Sequence, residues 1–185
     1  MKTWQVVATR TVLDRRWLRV HEQRIGLPHG GEIEEFHLIE SPDWVAVLAL
    51  DEVGRAVLVE QYRHGAGKTS RELPAGVVDA GETPLDAAQR ELLEETGHAS
   101  GDWQPLIAVQ TEPARHTTRA HFFFARNARR IAEPAVEPSE NIRVCAVSVA
   151  ELLASVDDGT LFHGVHIGAI LTAERRGWLR PSAPE

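Results

Sequence analysis

The chain has 185 residues, with 20 Lys and Arg against 27 Asp and Glu, a formal net charge of −7 and a sequence pI near 5.7. That length can bury one substantial core, while the acidic balance provides no broad basic surface for a nucleic-acid backbone and argues against a nucleic-acid partner. The single cysteine, Cys145, lies in an apolar run, which excludes an internal disulfide and fits a buried thiol in a reducing cytoplasm; the first ten residues contain no signal-like or membrane-spanning stretch, so a soluble cytoplasmic protein with no membrane partner is expected.

Short strands are predicted at 6–10, 17–22 and 34–40, punctuated by Pro28-His29-Gly30-Gly31, and form an N-terminal antiparallel group. After Ser41-Pro42-Asp43 come two richer strands, 44–50 and 55–62, joined by the turn-forming 51–54 and read as central sheet. A polar loop beyond Leu73-Pro74-Ala75-Gly76 ends at Thr83-Pro84, where Thr can cap a helix and Pro can occupy its first turn. That helix is predicted over 84–96, with Gly97 placed to end it. Further strands are predicted at 104–111, 120–125 and 143–149, the last after a Pro/Glu-rich loop, and helices at 149–156 and 163–176. Such alternation suggests an α/β fold with helices on both faces of a mixed sheet.

The chemistry is concentrated between Gly76 and Gly97. On the predicted helix Glu91, Glu94 and Glu95 stand at i, i+3 and i+4, within an arc of roughly 100°. Like charges so spaced repel by a few tenths of a kcal/mol per pair, so a cation is expected to compensate them. Carboxylate oxygens are hard ligands suited to Mg2+, or to Mn2+ as a substitute. Leu85, Ala88 and Leu92 occupy the adjacent arc and would fasten the helix to the sheet. Taken alone, Glu-x-x-Glu-Glu reads as a solvated acidic face. The whole segment, however, places Gly76, Glu82, Arg90, Glu91, Leu92, Glu94, Glu95 and Gly97 in the order Gly-x5-Glu-x7-Arg-Glu-U-x-Glu-Glu-x-Gly, where U is aliphatic.

This segment resembles the Nudix box, and the surrounding order of strands and helices resembles the Nudix hydrolase fold. One departure is His98, where the pattern usually carries an apolar residue. The resemblance implies an α/β/α sandwich with a mixed sheet and an N-terminal strand extension. In that frame residues 1–42 form the extension, a dimerisation element in similar enzymes, 43–180 the hydrolase domain and 181–185 a tail. It also implies Glu91, Glu94 and Glu95 as metal ligands, with the Ala75 carbonyl beside them, and Arg90 as the residue that pairs with and orients the helix acids. Glu82 would bind metal or brace the loop, and Gly76, Gly81 and Gly97 would serve backbone geometry.

Features outside the box resemble the branch that cleaves ADP-ribose and related nucleoside diphosphate sugars. Glu60-Gln61-Tyr62-Arg63, followed by Glu72-Leu73-Pro74-Ala75-Gly76, reads like that branch and makes Arg63 a phosphate-contacting candidate. Pro113 lies sixteen residues beyond Gly97, the spacing associated with ADP-ribose hydrolases, but the following Ala114-Arg115-His116-Thr117-Thr118-Arg119 lacks the usual glycine. Arg115, His116 and Arg119 are candidates to grip phosphate or sugar. Glu140, with Glu137 in reserve, resembles the loop glutamate that supplies a further catalytic or metal-binding carboxylate. Trp4, Trp17 and Trp44 are candidates to stack on a base, with core or interface packing the commoner role.

The implied activity is metal-dependent hydrolysis of a nucleoside diphosphate sugar, foremost ADP-ribose to AMP and ribose 5-phosphate, by a homodimer. GDP-mannose or another nucleotide sugar is the alternative, ahead of a dinucleoside polyphosphate, coenzyme A or a damaged nucleoside triphosphate. A sensor that binds a nucleotide sugar without cleaving it is the competing class, and the complete set of acids argues against it.

Overall fold

The computed structural model describes residues 2–135 and 141–180. They form two compact units, Met1–Asp43 with Gln110–Arg119, and Trp44–Val109 with Ala120–Glu185.

In the first unit β1 (Gln5–Arg15), β2 (Leu18–Gly26) and β3 (Glu32–Glu40) make a three-stranded antiparallel sheet in chain order. Cross-strand pairs such as Arg10–Glu22 at 2.9 Å and Arg19–Glu40 at 2.7 Å line it, each contributing little at an exposed surface. Ile25 is buried, whereas Trp4, Val6, Val7, Val12, Trp17 and Leu18 are exposed. Residues 110–119 return to this unit: Ile39 N donates to Arg115 O at 2.8 Å, and Thr117 N donates to Ile39 O at 3.0 Å.

The second unit holds β4 (Trp44–Asp51), β5 (Ala56–Arg63), β6 (Lys68–Glu72), β7 (Ala75–Val77), α1 (Pro84–Thr96), β8 (His98–Ala99), β9 (Asp102–Gln110), β10 (Arg119–Arg130), β11 (Ile142–Val147), α2 (Val149–Asp157) and α3 (Gly164–Arg175), with the ends of β9 and β10 counted in the first. Its sheet runs β11-β5-β4-β10-β8, with β6 on β5, β7 on β4 and β9 on β10. β4 and β10 are parallel and β5 is antiparallel to β4, so the sheet is mixed, as expected.

Strict alternation along the central strands sorts the core into two layers. Ala46, Leu48, Leu58, Phe122 and Phe124 face Leu152 of α2 and Ala169, Ile170 and Ala173 of α3. Val45, Val47, Ala49, Val57, Phe123 and Ala125 face Ala87, Ala88 and Leu92 of α1. Helices on both faces make the α/β/α sandwich that the sequence suggested. Ser148 starts α2 with a capping box: its Oγ accepts from Glu151 N at 3.2 Å, and the Glu151 carboxylate accepts from Ser148 N at 2.8 Å.

Several sequence expectations are corrected. Helical spacing predicts Leu85 on the packed arc of α1, but it is 36% exposed; it lies in the first turn, and packing begins at Ala87. Trp44, a stacking candidate, packs edge-on to Phe122 and His163 in the α3-side layer. Cys145 is only half-buried, although burial still pushes its thiol above the ordinary value. The sequence pattern predicts neither β6 nor β7.

Beside Trp44, His166 is fully buried and its Nδ1 accepts from Leu73 N at 3.3 Å. Its ring stacks on His163 with centroids 4.1 Å apart. Burial, followed by the charges of His163 and Arg63, holds His166 well below the usual imidazole range; burial lowers His163 too.

Candidate active site

Capping chemistry fixes where α1 begins and ends. Thr83 Oγ1 accepts from Asp86 N at 3.2 Å and Pro84 follows in the first turn. Gly97 closes the helix at φ 71°, donating its N–H to Leu93 O. A Cβ at Gly97 would both strain that conformation and overlap the Ala132 carbonyl oxygen.

The alanines at 87 and 88 let the helix approach the sheet closely, which brings the next turns of α1 down onto β7. Glu91 and Glu95 are 8% and 4% exposed there. Glu95 Oε2 accepts from Ala75 N at 2.8 Å. Gly76 pairs with Val45, on the α1 side of β4, and a Cβ at Gly76 would overlap the Glu91 carboxylate. Gly76 is therefore required by close approach, not by a left-handed backbone as Gly81 and Gly97 are.

Arg90 ties these parts together. Its Nε and Nη2 each donate to Glu82 at 3.0 Å, Nη2 also donates to Val77 O at 3.0 Å, and Nη1 donates to Glu91 at 2.6 Å and Glu94 at 3.1 Å. One guanidinium thus joins the box loop, β7 and two helix acids, and Glu82 also accepts from Asp79 N at 3.1 Å within the loop. The hydrogen bonds from Arg90 hold the Glu82 carboxyl below its usual range, and Glu82 foremost raises Arg90 in return.

The three helix acids do not share one environment. Glu94 is 46% exposed and turned to Arg90, whereas Glu91 and Glu95 are buried against β7. Among the described residues no three Asp, Glu, His or Cys side chains close into a metal-holding group. Two buried carboxylates one turn apart nonetheless fit a hard divalent cation, because Mg2+ is commonly held by one or two carboxylates plus substrate phosphate oxygens rather than by a complete protein cage. Burial of such like charges also calls for counter-charges, one of which Arg90 supplies at 2.6 Å from Glu91.

Arg63, on the same unit, meets a residue to which the sequence assigned no role. Glu72 is 0% exposed and accepts from Arg63 Nε at 3.0 and 3.1 Å and from Nη2 at 2.5 Å, while the Arg63 side chain is 40% exposed. Alternation was the available signal, but it required knowing that 68–72 pairs with 59–63. Arg115, His116 and Arg119 belong to the first unit, apart in the chain from the box. Arg115 sits in the turn after Pro113, His116 pairs with Glu112 at 3.2 Å, and Arg119 N donates to Asp43 at 2.8 Å. Glu137, Glu140 and the 181–185 tail lie outside the described residues. A hollow of about 480 Å³ at the β4–β5 turn, lined by residues including Asp51, Arg126 and Trp178, contains none of the box acids.

A mixed sheet between helices, with a capped acidic helix laid on a glycine-bearing strand, defines a protein of the α/β/α sandwich class, and comparison with known proteins makes that class specific. The NUDIX domain model matches residues 41–164 and the model of the nucleoside diphosphate sugar hydrolase N-terminal domain matches 4–39. The chain belongs to the NUDIX family, and it is an enzyme of the hydrolase class. It is 28% identical to the ADP-ribose pyrophosphatase of Mycobacterium tuberculosis over 96% of this chain and 87% of that protein. It is 26% identical to the GDP-mannose pyrophosphatase of Pectobacterium atrosepticum over 93% and 95%. A solved structure of an ADP compounds hydrolase superposes with a TM-score of 0.84 at 19% identity, covering 97% of this chain and 96% of that one, and shares its fold. Among the described residues no helix is long and apolar enough to cross a membrane.

Proposed function

We propose that the chain hydrolyses the pyrophosphate link of nucleoside diphosphate sugars, with ADP-ribose, split to AMP and ribose 5-phosphate, as its preferred substrate. The observation that carries this reading is the pair of buried carboxylates, Glu91 and Glu95, pressed against the backbone of Ala75 and Gly76. The near full-length likeness to an ADP-ribose pyrophosphatase supports the substrate, and the equally extended likeness to a GDP-mannose pyrophosphatase keeps GDP-mannose as the alternative.

Glu91, Glu94, Glu95, the Ala75 carbonyl and Glu140 would hold Mg2+, for which Mn2+ would substitute. When bound, the cation supplies Lewis-acid neutralisation of the diphosphate oxygens. The chain's own residues do the rest. Arg90 fixes the box loop, β7 and the helix acids relative to one another, so the carboxylates meet the substrate without reorganising. Glu140 takes the proton of the attacking water, a role that contributes typically about 10²–10⁴-fold in rate. Arg63, Arg115 and Arg119 contact phosphate or sugar oxygens. The catalytic assignment is thus Glu140, Glu95, Glu94 and Arg90.

Residues 1–42 are proposed as a homodimerisation element ahead of the 43–180 hydrolase domain and the 181–185 tail. The exposed Trp4, Val6, Val7, Val12, Trp17 and Leu18 support this, since a small sheet that leaves so many apolar side chains in water gains by covering them. A cytoplasmic location with no nucleic-acid partner completes the reading, in keeping with the net charge of −7.

The test is a panel of ADP-ribose, GDP-mannose and other nucleotide sugars with Mg2+ or Mn2+, scored as kcat/KM by release of the nucleoside monophosphate. The highest value is expected for ADP-ribose. Tight binding without any release of AMP would replace the enzyme by a sensor, and a monomer mass by light scattering would remove the dimer.

A further inference from the structure

Glu72 is a buried ionisable group that the mechanism above leaves unused. β5 and β6 pair with Val59 opposite Glu72, Gln61 opposite Ser70 and Arg63 opposite Lys68. By alternation Val59, Gln61, Arg63, Ser70 and Glu72 all lie on the sheet face of Val57, which packs in the layer closed by α1. Arg63 therefore projects from the face that also carries Gly76, Glu91 and Glu95.

The two partners are buried to opposite degrees, Glu72 at 0% and Arg63 at 40% exposure. Nε and Nη2 both donate to the one carboxylate. Such a fork fixes the plane of a guanidinium as well as its position, which a lysine ammonium could not offer. A buried ion pair is weak support for stability, because well-packed apolar residues of similar volume do as well or better. Orientation of the exposed end accounts for the arrangement instead. An arginine on a strand end has several freely rotating torsions, and ordering them when substrate arrives weakens binding. A carboxylate locked in the protein interior orders them beforehand.

We propose that Glu72 is a positioning residue that pre-orients Arg63 toward an anionic oxygen of the nucleotide-sugar substrate; the inference rests on the proposed hydrolysis and on Arg63 as a substrate contact. Arg63 makes its contact in ground state and transition state alike, so its misplacement raises KM more than it lowers kcat.

The test measures kcat and KM for ADP-ribose with Mg2+ in the wild type, Arg63→Ala, Glu72→Gln and the double variant, with Tm read alongside. Arg63→Ala is expected to raise KM about 10- to 100-fold. Glu72→Gln should raise KM about fivefold to tenfold. The double variant should be no worse than Arg63→Ala alone, because a misplaced arginine that has already been removed costs nothing further. A role in stability alone would instead lower the folded fraction, seen as a smaller kcat at unchanged KM. If Glu72→Gln does not fold, Glu72→Asp takes its place: it keeps the charge, shortens the reach and should still raise KM. Wild-type KM in the Glu72 variants, or losses that multiply in the double, would overturn the inference. Failure of the underlying readings is visible separately: Arg63→Ala with wild-type KM removes Arg63 from substrate binding, and a wild type that does not cleave ADP-ribose removes the substrate.

Discussion

Gly76→Ala separates the candidate site from the stability of the fold. The added methyl would occupy the space of the Glu91 carboxylate, so either β7 or the Glu91 side chain must move. Moving β7 disturbs its pairing with β4 at Val45 and Ala46, both fully buried, and overpacking of that kind costs about 1–3 kcal/mol. Rotating Glu91 toward solvent breaks its largely buried pair with Arg90 but leaves neither charge buried and unpaired, because Arg90 keeps Glu82 and Glu94, so the loss stays near about 1 kcal/mol. The second route is cheaper, so the side chain gives way and the strand stays. A loss near 1 kcal/mol lowers Tm by only about 2–4 °C in a chain of this size. Displacement of a catalytic group by about 1 Å, in contrast, costs on the order of 10²-fold in rate. Thermal unfolding and kcat with ADP-ribose and Mg2+, measured on the same preparation, should therefore diverge: nearly native Tm, with kcat down about a hundredfold. Unchanged kcat and KM would refute the placement of Glu91 in the site, and a collapse of Tm would show that the strand moved instead.

Glu95→Gln keeps an acceptor for Ala75 N and should fold with Tm near that of the wild type, yet lose nearly all metal-dependent turnover; retained kcat in a metal titration would remove Glu95 as a ligand. Glu140→Gln should lower kcat by about 10²–10⁴-fold with substrate binding kept, and an unchanged kcat would pass the base role to Glu137. For His166, whose folded value lies well below the ordinary 6.5, the unfolded chain takes up a proton that the folded chain refuses as pH falls. Stability is therefore full above about pH 6.5 and declines below it by up to about 1.4 kcal/mol per pH unit, with His163 adding to the decline. Glu60 and Glu82, whose values are lowered, hold their contributions above their ordinary 4.5, so urea unfolding between about pH 5.5 and 7.5 reads the histidines. His166→Asn, which keeps an acceptor for Leu73 N, should flatten the decline, and an equally steep profile would exclude His166 as its source.

The parts of the fold that were legible in the sequence are those built by apolar periodicity or by capping. Thr83-Pro84 and Gly97 marked both ends of α1, and Ala46, Leu48 and Leu58 on one layer, with Val45, Val47 and Val57 on the other, marked β4 and β5 as central. What escaped at β6 was held by charge. β6 reads Lys-Thr-Ser-Arg-Glu, with no apolar residue, because Glu72 is buried on Arg63 while Arg71 lies between Glu60 and Ser155. Alternation of hydrophobic residues has nothing to register there, and a salt bridge between strands is invisible until the strands are paired.

The same distinction explains the site. Helical spacing correctly put Glu91, Glu94 and Glu95 near one face, but spacing fixes only angle, and the sheet decides which part of the arc is covered. Glu91 and Glu95 fall between the packed Ala87, Ala88 and Leu92 and go under with them. Glu94 lies at the outer flank and remains 46% exposed on Arg90. Equal positions in a motif thus acquire unequal chemistry: Glu91 and Glu95 are covered by the sheet, whereas Glu94 stays at the rim and shares with Glu91 the arginine that braces the box loop. A variant series along the helix should follow this order, with Glu91 and Glu95 dominating metal dependence and Glu94 affecting it less, and equal effects at all three positions would mean that Glu94 leaves Arg90 when metal and substrate arrive.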